Sequence, residues 1–287
     1  YLHQEEALRA ALAGESFVVA TGTGSGKSLA FGMPILAYAL TERRPGIKAV
    51  LVYPMNALAN SQYRDFALRL HGSGLRIALY NGETPYSKAE GQALRERLLL
   101  ERPVSDAEVL SREEIRQNPP DILMTNYVQL ELLLTRGEDR FLFPPEHRGV
   151  LRYLVLDEVH TYAGLRGADV ALLIRRLRQH TGTTKSLQVI GTSAAVDRGE
   201  EAIRRFAENL FGSPVARVIG EYLEDPPPLD LSHLPEELGE AVRARPDGEK
   251  RVRRVLLYLE GALAEPRTLS ELAQGCLLYT SPSPRDR

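Results

Sequence analysis

A glycine-rich segment near the start of the chain has the composition of a phosphate-binding loop. It consists of Thr21, Gly22, Thr23, Gly24, Ser25, Gly26, Lys27 and Ser28. Glycines let successive backbone N–H groups turn towards one anion, and the start of a following helix adds its positive dipole end. We expect Lys27 to reach the β- and γ-phosphates of a nucleotide and Ser28 to place its hydroxyl on Mg²⁺. The alternative is a glycine-rich turn with an incidental Lys-Ser pair, which the strand–loop–helix context disfavours.

Two acidic residues follow an apolar run in the middle of the chain. The run Tyr153–Leu156 precedes Asp157 and Glu158, and His160 comes two residues later. Parallel sheets place ligands at the carboxyl ends of their strands. We therefore expect Asp157 to hold Mg²⁺ and Glu158 to orient or deprotonate an attacking water. Alone, such a pair is usually a solvated strand end, but the glycine-rich loop upstream favours the catalytic interpretation.

Short apolar runs alternate with helical patterns and predict the fold class. The predicted strands are Phe17–Ala20, Ala49–Tyr53, Arg76–Tyr80, Ile122–Thr125, Tyr153–Leu156 and Leu187–Gly191. The predicted helices are Leu29–Leu40, Ala57–Leu70, Leu130–Thr135 and Asp169–His180. Runs rich in Val, Ile and Leu are typical of strands that are covered on both faces. The alternation predicts an α/β domain with a doubly wound, mostly parallel sheet.

The chain divides into three predicted regions. Residues 1–221 form the α/β domain, with a charged and partly helical insertion at Ala89–Pro120. The prolines Pro226, Pro227 and Pro228 break the pattern, and residues 222–276 predict a linker and the helical start of an incomplete further domain. Residues 277–287 have no periodicity. They are either a disordered tail or translated sequencing-adapter read-through, and we favour the second interpretation.

Composition excludes several classes of protein. The chain has one cysteine, Cys276, so neither an internal disulfide framework nor a cysteine zinc site is expected. The formal net charge is -2, so any contact with nucleic acid must come from a local surface. No apolar run is long enough to cross a bilayer, and we expect a cytoplasmic protein without membrane contact.

The order of these motifs resembles that of superfamily 2 DEAD/DEAH-box helicases. The resemblance covers most of residues 1–220 and centres on Asp157, Glu158, Val159 and His160. It implies a RecA-like domain that hydrolyses ATP with Mg²⁺, with Lys27, Asp157, Glu158 and His160 in the catalytic site. It also implies that Gln4, upstream of the glycine-rich loop, reads the adenine base.

The resemblance further implies that three strand-end segments bind the backbone of single-stranded nucleic acid. The residues carried over are Pro54, Asn56, Ala57, Gly82, Thr84, Thr125 and Asn126. Ser193, Ala194 and Ala195 occupy the motif that couples nucleotide state to strand separation, and Ala195 replaces the threonine of the family pattern. The second RecA-like domain of the family, with its arginine fingers, is absent from these residues, so the chain alone is not expected to complete the ATPase site.

One branch of the family is closest in pattern. The segment from Asp157 to Arg178 is similar to bacterial DNA-repair and defence helicases of the mitomycin repair factor A type, which implies a DNA-directed motor. Three alternatives stay open. They are an RNA helicase, an ATP-dependent nucleic-acid clamp that does not unwind, which Ala195 favours, and a P-loop enzyme such as a kinase that acts on small molecules.

Overall fold

In the part of the chain that the structure describes, eight short parallel strands form one sheet. The computed structural model describes residues 2–22, 25–54, 56–101, 103–137, 142–194 and 199–220. The strands are β1 (Phe17–Ala20), β2 (Ala49–Val52), β3 (Ile77–Tyr80), β4 (Glu108–Val109), β5 (Ile122–Thr125), β6 (Tyr153–Leu156), β7 (Gln188–Ser193) and β8 (Arg217–Gly220). Their order across the sheet is β4-β3-β5-β2-β6-β7-β1-β8. Every neighbouring pair is parallel.

Helices connect successive strands and cover the sheet. They are α1 (Leu2–Leu12), α2 (Lys27–Thr41), α3 (Asn56–Arg69), α4 (Lys88–Glu101), α5 (Arg112–Gln117), α6 (Tyr127–Thr135), α7 (Leu165–Thr181) and α8 (Glu200–Phe211), with short 3₁₀ turns at Pro145–His147 and Val159–Thr161. Parallel strands need such crossover connections, because a tight hairpin can join only antiparallel strands. No helix among these is long and apolar enough to cross a membrane.

Two hydrophobic cores lie on opposite faces of the sheet. One core joins α1, α2 and α3 to alternate strand residues such as Phe17 and Val19. The other joins α6, α7 and α8 to the intervening residues, among them Val18. Side chains of successive strand residues point to opposite faces, so each short strand contributes to both cores. The prediction of a doubly wound α/β domain is therefore confirmed.

The predicted strands match observed strands to within two residues at each end, but four elements were not predicted. These are helix α1, the two-residue strand β4, and the pair α8 and β8. The insertion predicted at Ala89–Pro120 is partly helical, since it contains α4 and α5. The predicted linker, helical segment and tail, residues 222–287, lie outside the described residues.

The strand ends divide the carboxyl edge of the sheet into two halves. Strands β3, β5 and β2 are neighbours and end in register, with Thr125 paired to Tyr80 and to Val52. Strands β6, β7 and β1 form the adjacent half, and Ala20 is paired to Ser193. Segments that are far apart in the chain therefore lie side by side along this edge.

Candidate nucleotide site and neighbouring strand-end loops

The glycine-rich loop connects β1 to α2 and brings its lysine onto the sheet edge. Lys27 is the first residue of α2. Its Nζ donates to the carbonyl oxygen of Thr21 at 3.1 Å and to that of Ser193 at 3.2 Å. The hydroxyls of Thr21 and Ser25 lie 2.7 Å apart. The ammonium group is therefore held between the ends of β1 and β7. Thr23 and Gly24 lie outside the described residues.

Gln4 lies against the same loop. The residue is buried on α1, and its Nε2 donates to the carbonyl oxygen of Gly26 at 3.2 Å. Gly26 has φ of 83°, a left-handed conformation that a residue with a side chain adopts at a cost. A Cβ at this position would lie 2.7 Å from Gln4 Nε2. The backbone conformation therefore favours glycine before Lys27, and a larger residue would also displace the Gln4 amide.

Glu158 is held in an unusual conformation beside the loop. Its φ of 50° is positive, which no other non-glycine residue among those described shares. Backbone strain of this kind costs about 1–3 kcal/mol and is concentrated at functional sites. Its Oε2 is buried and accepts no hydrogen bond, although His160 Nδ1 lies 3.2 Å away. The side chain as a whole is 23% exposed, so a water that enters the site can reach its carboxyl group.

Thr192 on β7 joins both acidic residues to the sheet. Its hydroxyl donates to Asp157 Oδ1 and accepts from the backbone N–H of Glu158 at 3.2 Å. Burial raises the pKa of the Asp157 carboxyl above its ordinary value, and the hydrogen bond from Thr192 opposes part of that rise. A cation beside Asp157 would favour its charged form further.

His160 connects the acidic segment to the segment proposed for coupling. Its Nδ1 lies 3.1 Å from the hydroxyl of Ser193. Ser193 also accepts from Lys27 through its carbonyl oxygen, so one residue of β7 contacts both the lysine and the histidine. Ala194 follows directly, and Ala195 lies outside the described residues. The structure thus brings the sequence-predicted residues of the β6–β7–β1 half together.

A cavity of about 370 Å³ opens between these groups. It is lined by Gly26, Lys27, Ser28, Tyr53, Gln62, Asp157 and Glu158, together with residues further along α2 and α3. The hydroxyl of Tyr53 is buried without a hydrogen-bond partner, and burial and the nearby Asp157 carboxylate raise its pKa well above the ordinary value. The phenol therefore stays a donor for an oxygen that enters the cavity.

The donor set fits Mg²⁺ held together with a nucleotide. Ser28 and Asp157 offer oxygen ligands on the same cavity. Within the described part of the chain, no group of three or more His, Cys, Asp or Glu residues forms a metal cage. Mg²⁺ commonly takes one or two protein oxygens and completes its shell with phosphates and waters. The residues present therefore suit this ion better than a metal that needs an all-protein site.

The other half of the edge carries the three strand-end loops. Gly82 is exposed after β3, and the hydroxyl of Thr84 donates to the carbonyl oxygen of Leu79 at 2.8 Å. Asn126 follows β5 and accepts from the N–H of Gln129 as the N-cap of α6. Pro54 follows β2, and Asn56 and Ala57 begin α3. A second cavity of about 350 Å³ borders the Asn81–Pro85 loop.

Thr125 lies in a different environment from that expected of a nucleic-acid contact. It is 1% exposed, and its hydroxyl donates to the carbonyl oxygen of Tyr80 at 2.7 Å. This hydrogen bond joins the ends of β3 and β5, so its side chain positions the neighbouring loops. Asn126, the next residue, is the accessible member of this segment.

Three residues at or beside the cavity were not predicted from the sequence. Thr192 directly follows the predicted strand Leu187–Gly191, Gln62 lies in the middle of a predicted helix, and Tyr53 ends a predicted strand. Their partners are distant in the chain: Thr192 bonds Asp157, and Gln62 bonds Ser28. Neither spacing nor local composition marks such contacts, which arise from the order of the strands and from the packing of α2 on α3.

The model of one protein family matches this chain. The DEAD/DEAH box helicase family matches residues 1–203. Among curated relatives, the Druantia protein DruE of Escherichia coli is 31% identical over 74% of this chain and 17% of DruE. The ATP-dependent helicase YprA of Bacillus subtilis is 28% identical over 76% of this chain and 25% of YprA. This chain therefore spans a quarter or less of either relative.

A solved structure shows the same architecture. The helicase MrfA, in a crystal structure with bound DNA, superimposes with a TM-score of 0.58 and 28% identity. The match covers 77% of this chain and 27% of MrfA. These findings confirm both the resemblance and the RecA-like fold that it implies.

Proposed function

Because the chain belongs to the DEAD/DEAH box helicase family, we propose that it is the ATP-binding motor domain of a DNA helicase or translocase. It binds ATP with Mg²⁺ on one half of the sheet edge and grips single-stranded DNA on the other half. The observation that carries this proposal is the adjacency of the two halves, since β2 and β6 are hydrogen-bonded neighbours in register. A structural change on binding at one site can therefore be transmitted to the other site through the same sheet.

The residues at and around the 370 Å³ cavity have distinct roles in the proposed reaction. Lys27 exchanges its two carbonyl partners for the terminal phosphates and neutralises their charge. Ser28 and Asp157 hold Mg²⁺, which neutralises further phosphate charge when it is bound. Glu158, which lines the same cavity, holds the attacking water and accepts its proton. Gln4 reads the adenine base from its position against Gly26.

The residues of the other half suit a grip on the nucleic-acid backbone. The loops there offer an exposed glycine, small polar groups and the starts of α3 and α6. Backbone N–H groups and helix N-termini bind phosphates without reading sequence. DNA is proposed over RNA because the structural relative MrfA is described with bound DNA. Thr125 contributes by positioning Asn126, and Pro54, Asn56 and Ala57 contribute from the third segment.

We propose that the ATPase site is completed by a second RecA-like domain of the same full-length chain. The relatives support this, because each is several times longer than the matched region. In the proposal, Ser193 and Ala194 relay the nucleotide state through His160 to that second domain. The functional assay therefore requires a protein that contains both domains.

ATP hydrolysis by that two-domain protein tests the proposal. It is measured with and without single-stranded DNA, and with single-stranded RNA in parallel. Stimulation by DNA supports the proposed motor. Stimulation by RNA alone replaces the DNA assignment by an RNA helicase, and no stimulation by either refutes a nucleic-acid motor. Failure to separate strands despite DNA-stimulated hydrolysis favours a clamp, the alternative that Ala195 raises.

The strand grip has its own test with a matched control. Gly82→Asp places a negative charge on an exposed loop where a Cβ meets nothing within 4 Å. One like charge at contact distance in water opposes binding by about 1 kcal/mol, so DNA affinity falls about fivefold, equally for all sequences. Gly137→Asp adds the same charge beyond the far end of α6, again in open space, and leaves affinity unchanged. Equal losses for both variants contradict a local grip.

A further inference from the structure

The hydroxyl of Ser28 has a protein partner that the proposed reaction does not use. Ser28 Oγ donates to Gln62 Oε1 at 2.8 Å, across 34 residues of chain. Gln62 lies in the second turn of α3 and is half-buried. Both residues line the 370 Å³ cavity together with Asp157 and Glu158. The hydrogen bond therefore lies within the nucleotide site.

Packing one turn further along both helices fixes this contact. Phe66 is four residues after Gln62, and Gly32 is four residues after Ser28, so each pair lies on one face of its helix. A Cβ on Gly32 would lie only 3.2 Å from the Phe66 ring, and Phe31 stacks on the same ring at 5.8 Å between centroids. The missing side chain of Gly32 lets α3 approach α2 closely, which keeps Gln62 within reach of Ser28.

The direction of the hydrogen bond determines what Ser28 can bind. A serine hydroxyl has one proton and two lone pairs. Because the proton is donated to the Gln62 carbonyl oxygen, the lone pairs are left for a cation on the cavity side. Partners that orient a metal ligand in this way commonly change metal affinity or activity by 10–100-fold when they are removed.

We propose that Gln62 is a positioning residue for the Mg²⁺ site, which acts by orienting the hydroxyl of Ser28. This rests on the proposed binding of ATP with Mg²⁺. Without the amide oxygen the hydroxyl rotates freely, and the ion must select one rotamer at a cost in affinity. The nucleotide phosphates, held by Lys27 and the loop backbone, keep their own contacts.

A magnesium titration of nucleotide binding tests this role without any turnover. The affinity of the 287-residue chain for a fluorescent, non-hydrolysable ATP analogue is measured at increasing Mg²⁺ and in excess EDTA. Gln62→Met keeps the length of the side chain and removes the acceptor. For Gln62→Met we expect half-saturation to need about tenfold more Mg²⁺, the lower end of the range of about 10–100-fold, while the affinity in EDTA stays unchanged. Ser61→Ala, on the exposed side of the same turn, is the matched control and leaves both values unchanged.

Two further variants separate positioning from general damage to the fold. Gln62→Glu retains an acceptor oxygen and keeps the wild-type Mg²⁺ requirement or lowers it. Ser28→Ala alone raises the Mg²⁺ concentration at half-saturation. Adding Gln62→Met to Ser28→Ala causes no further rise. Thermal unfolding of each variant in EDTA verifies that the domain is folded before the titrations are compared.

The outcomes distinguish this inference from the proposed function. Additive effects of Ser28→Ala and Gln62→Met overturn the inference, because Gln62 then acts independently of Ser28. A wild-type Mg²⁺ requirement in Gln62→Met, with normal binding by the wild type, also overturns it and leaves the ATP site intact. Absence of Mg²⁺-dependent nucleotide binding in the wild type overturns the proposed function itself.

Discussion

Replacing Thr192 by valine removes one hydroxyl that joins β7 to both acidic residues. Valine has nearly the same shape as threonine, so the change deletes hydrogen bonds without opening a large cavity. The hydroxyl donates to the carboxylate of Asp157 and accepts from the N–H of Glu158. Thr192 is completely buried, so water cannot replace it freely.

The expected loss follows from these two bonds. A hydrogen bond to a charged group contributes about 1.5–3 kcal/mol, and one between neutral groups contributes about 1 kcal/mol. Thr192→Val should therefore lower the free energy of unfolding by about 2–4 kcal/mol. For a domain of this size that corresponds to a fall in melting temperature on the order of 10 °C. Urea and thermal unfolding in EDTA measure the change without interference from bound Mg²⁺.

Thr192→Ser is the matched control, because it keeps the hydroxyl and deletes only a methyl group. Its cost should be about 1 kcal/mol. In an Asp157→Asn background the cost of Thr192→Val should shrink, because the charge-assisted share of the loss has already been removed. Wild-type stability of Thr192→Val, or a larger loss of stability for Thr192→Ser than for Thr192→Val, would contradict these roles of the hydroxyl.

Three other substitutions have defined outcomes. Glu158→Gln should leave binding of ATP and Mg²⁺ intact and stop hydrolysis by the two-domain protein, because the amide cannot accept the proton of the attacking water. Gly167→Ala should destabilise the domain by about 1–3 kcal/mol in thermal unfolding, since its Cβ would lie 2.4 Å from the carbonyl oxygen of Tyr162. Lys48→Met should lower the free energy of unfolding in urea by about 3 kcal/mol, because it leaves Asp121 without the ammonium group 2.8 Å away.

Each of these predictions has an outcome that would contradict it, and the two stability predictions have matched control variants. Normal turnover by Glu158→Gln removes this residue from its assigned role. For Gly167→Ala the control is Gly82→Ala, where the added Cβ meets nothing within 4 Å, and equal stability of the two variants contradicts the packing argument. For Lys48→Met the control is Lys88→Met, an exposed lysine at the start of α4, and an equal cost for both contradicts a special role of the buried pair.

The main residues of the nucleotide site could be predicted from the sequence because they lie in short consecutive segments. The glycine-rich loop lies within eight consecutive residues, and Asp157 and Glu158 directly follow an apolar run. Buried parallel strands also have a strong pattern, since runs such as Ala49–Val52 are apolar at every position. Local composition was therefore sufficient to predict the fold class and to mark Lys27, Asp157 and Glu158 as candidates.

The missed elements and contacts depend on tertiary structure. Strand β4 has only two residues, one of them the buried Glu108, so it lacks an apolar run. Thr125 appeared suited to contact a ligand, but the register of β3 and β5 turns its hydroxyl to Tyr80. The contacts of Thr192 and Gln62 arise from the order of strands and from the spacing of α2 and α3, which no short segment encodes.

Calorimetric titration of the chain with a non-hydrolysable ATP analogue and Mg²⁺ shows whether the cavity beside Lys27, Asp157 and Glu158 is a nucleotide site. Wild type and Lys27→Ala are measured side by side. We expect binding by the wild type and loss of that binding in Lys27→Ala, because the charge that faces the phosphates has been removed. Equal affinity in the two proteins would contradict the phosphate-binding role of the loop and the motor function built on it.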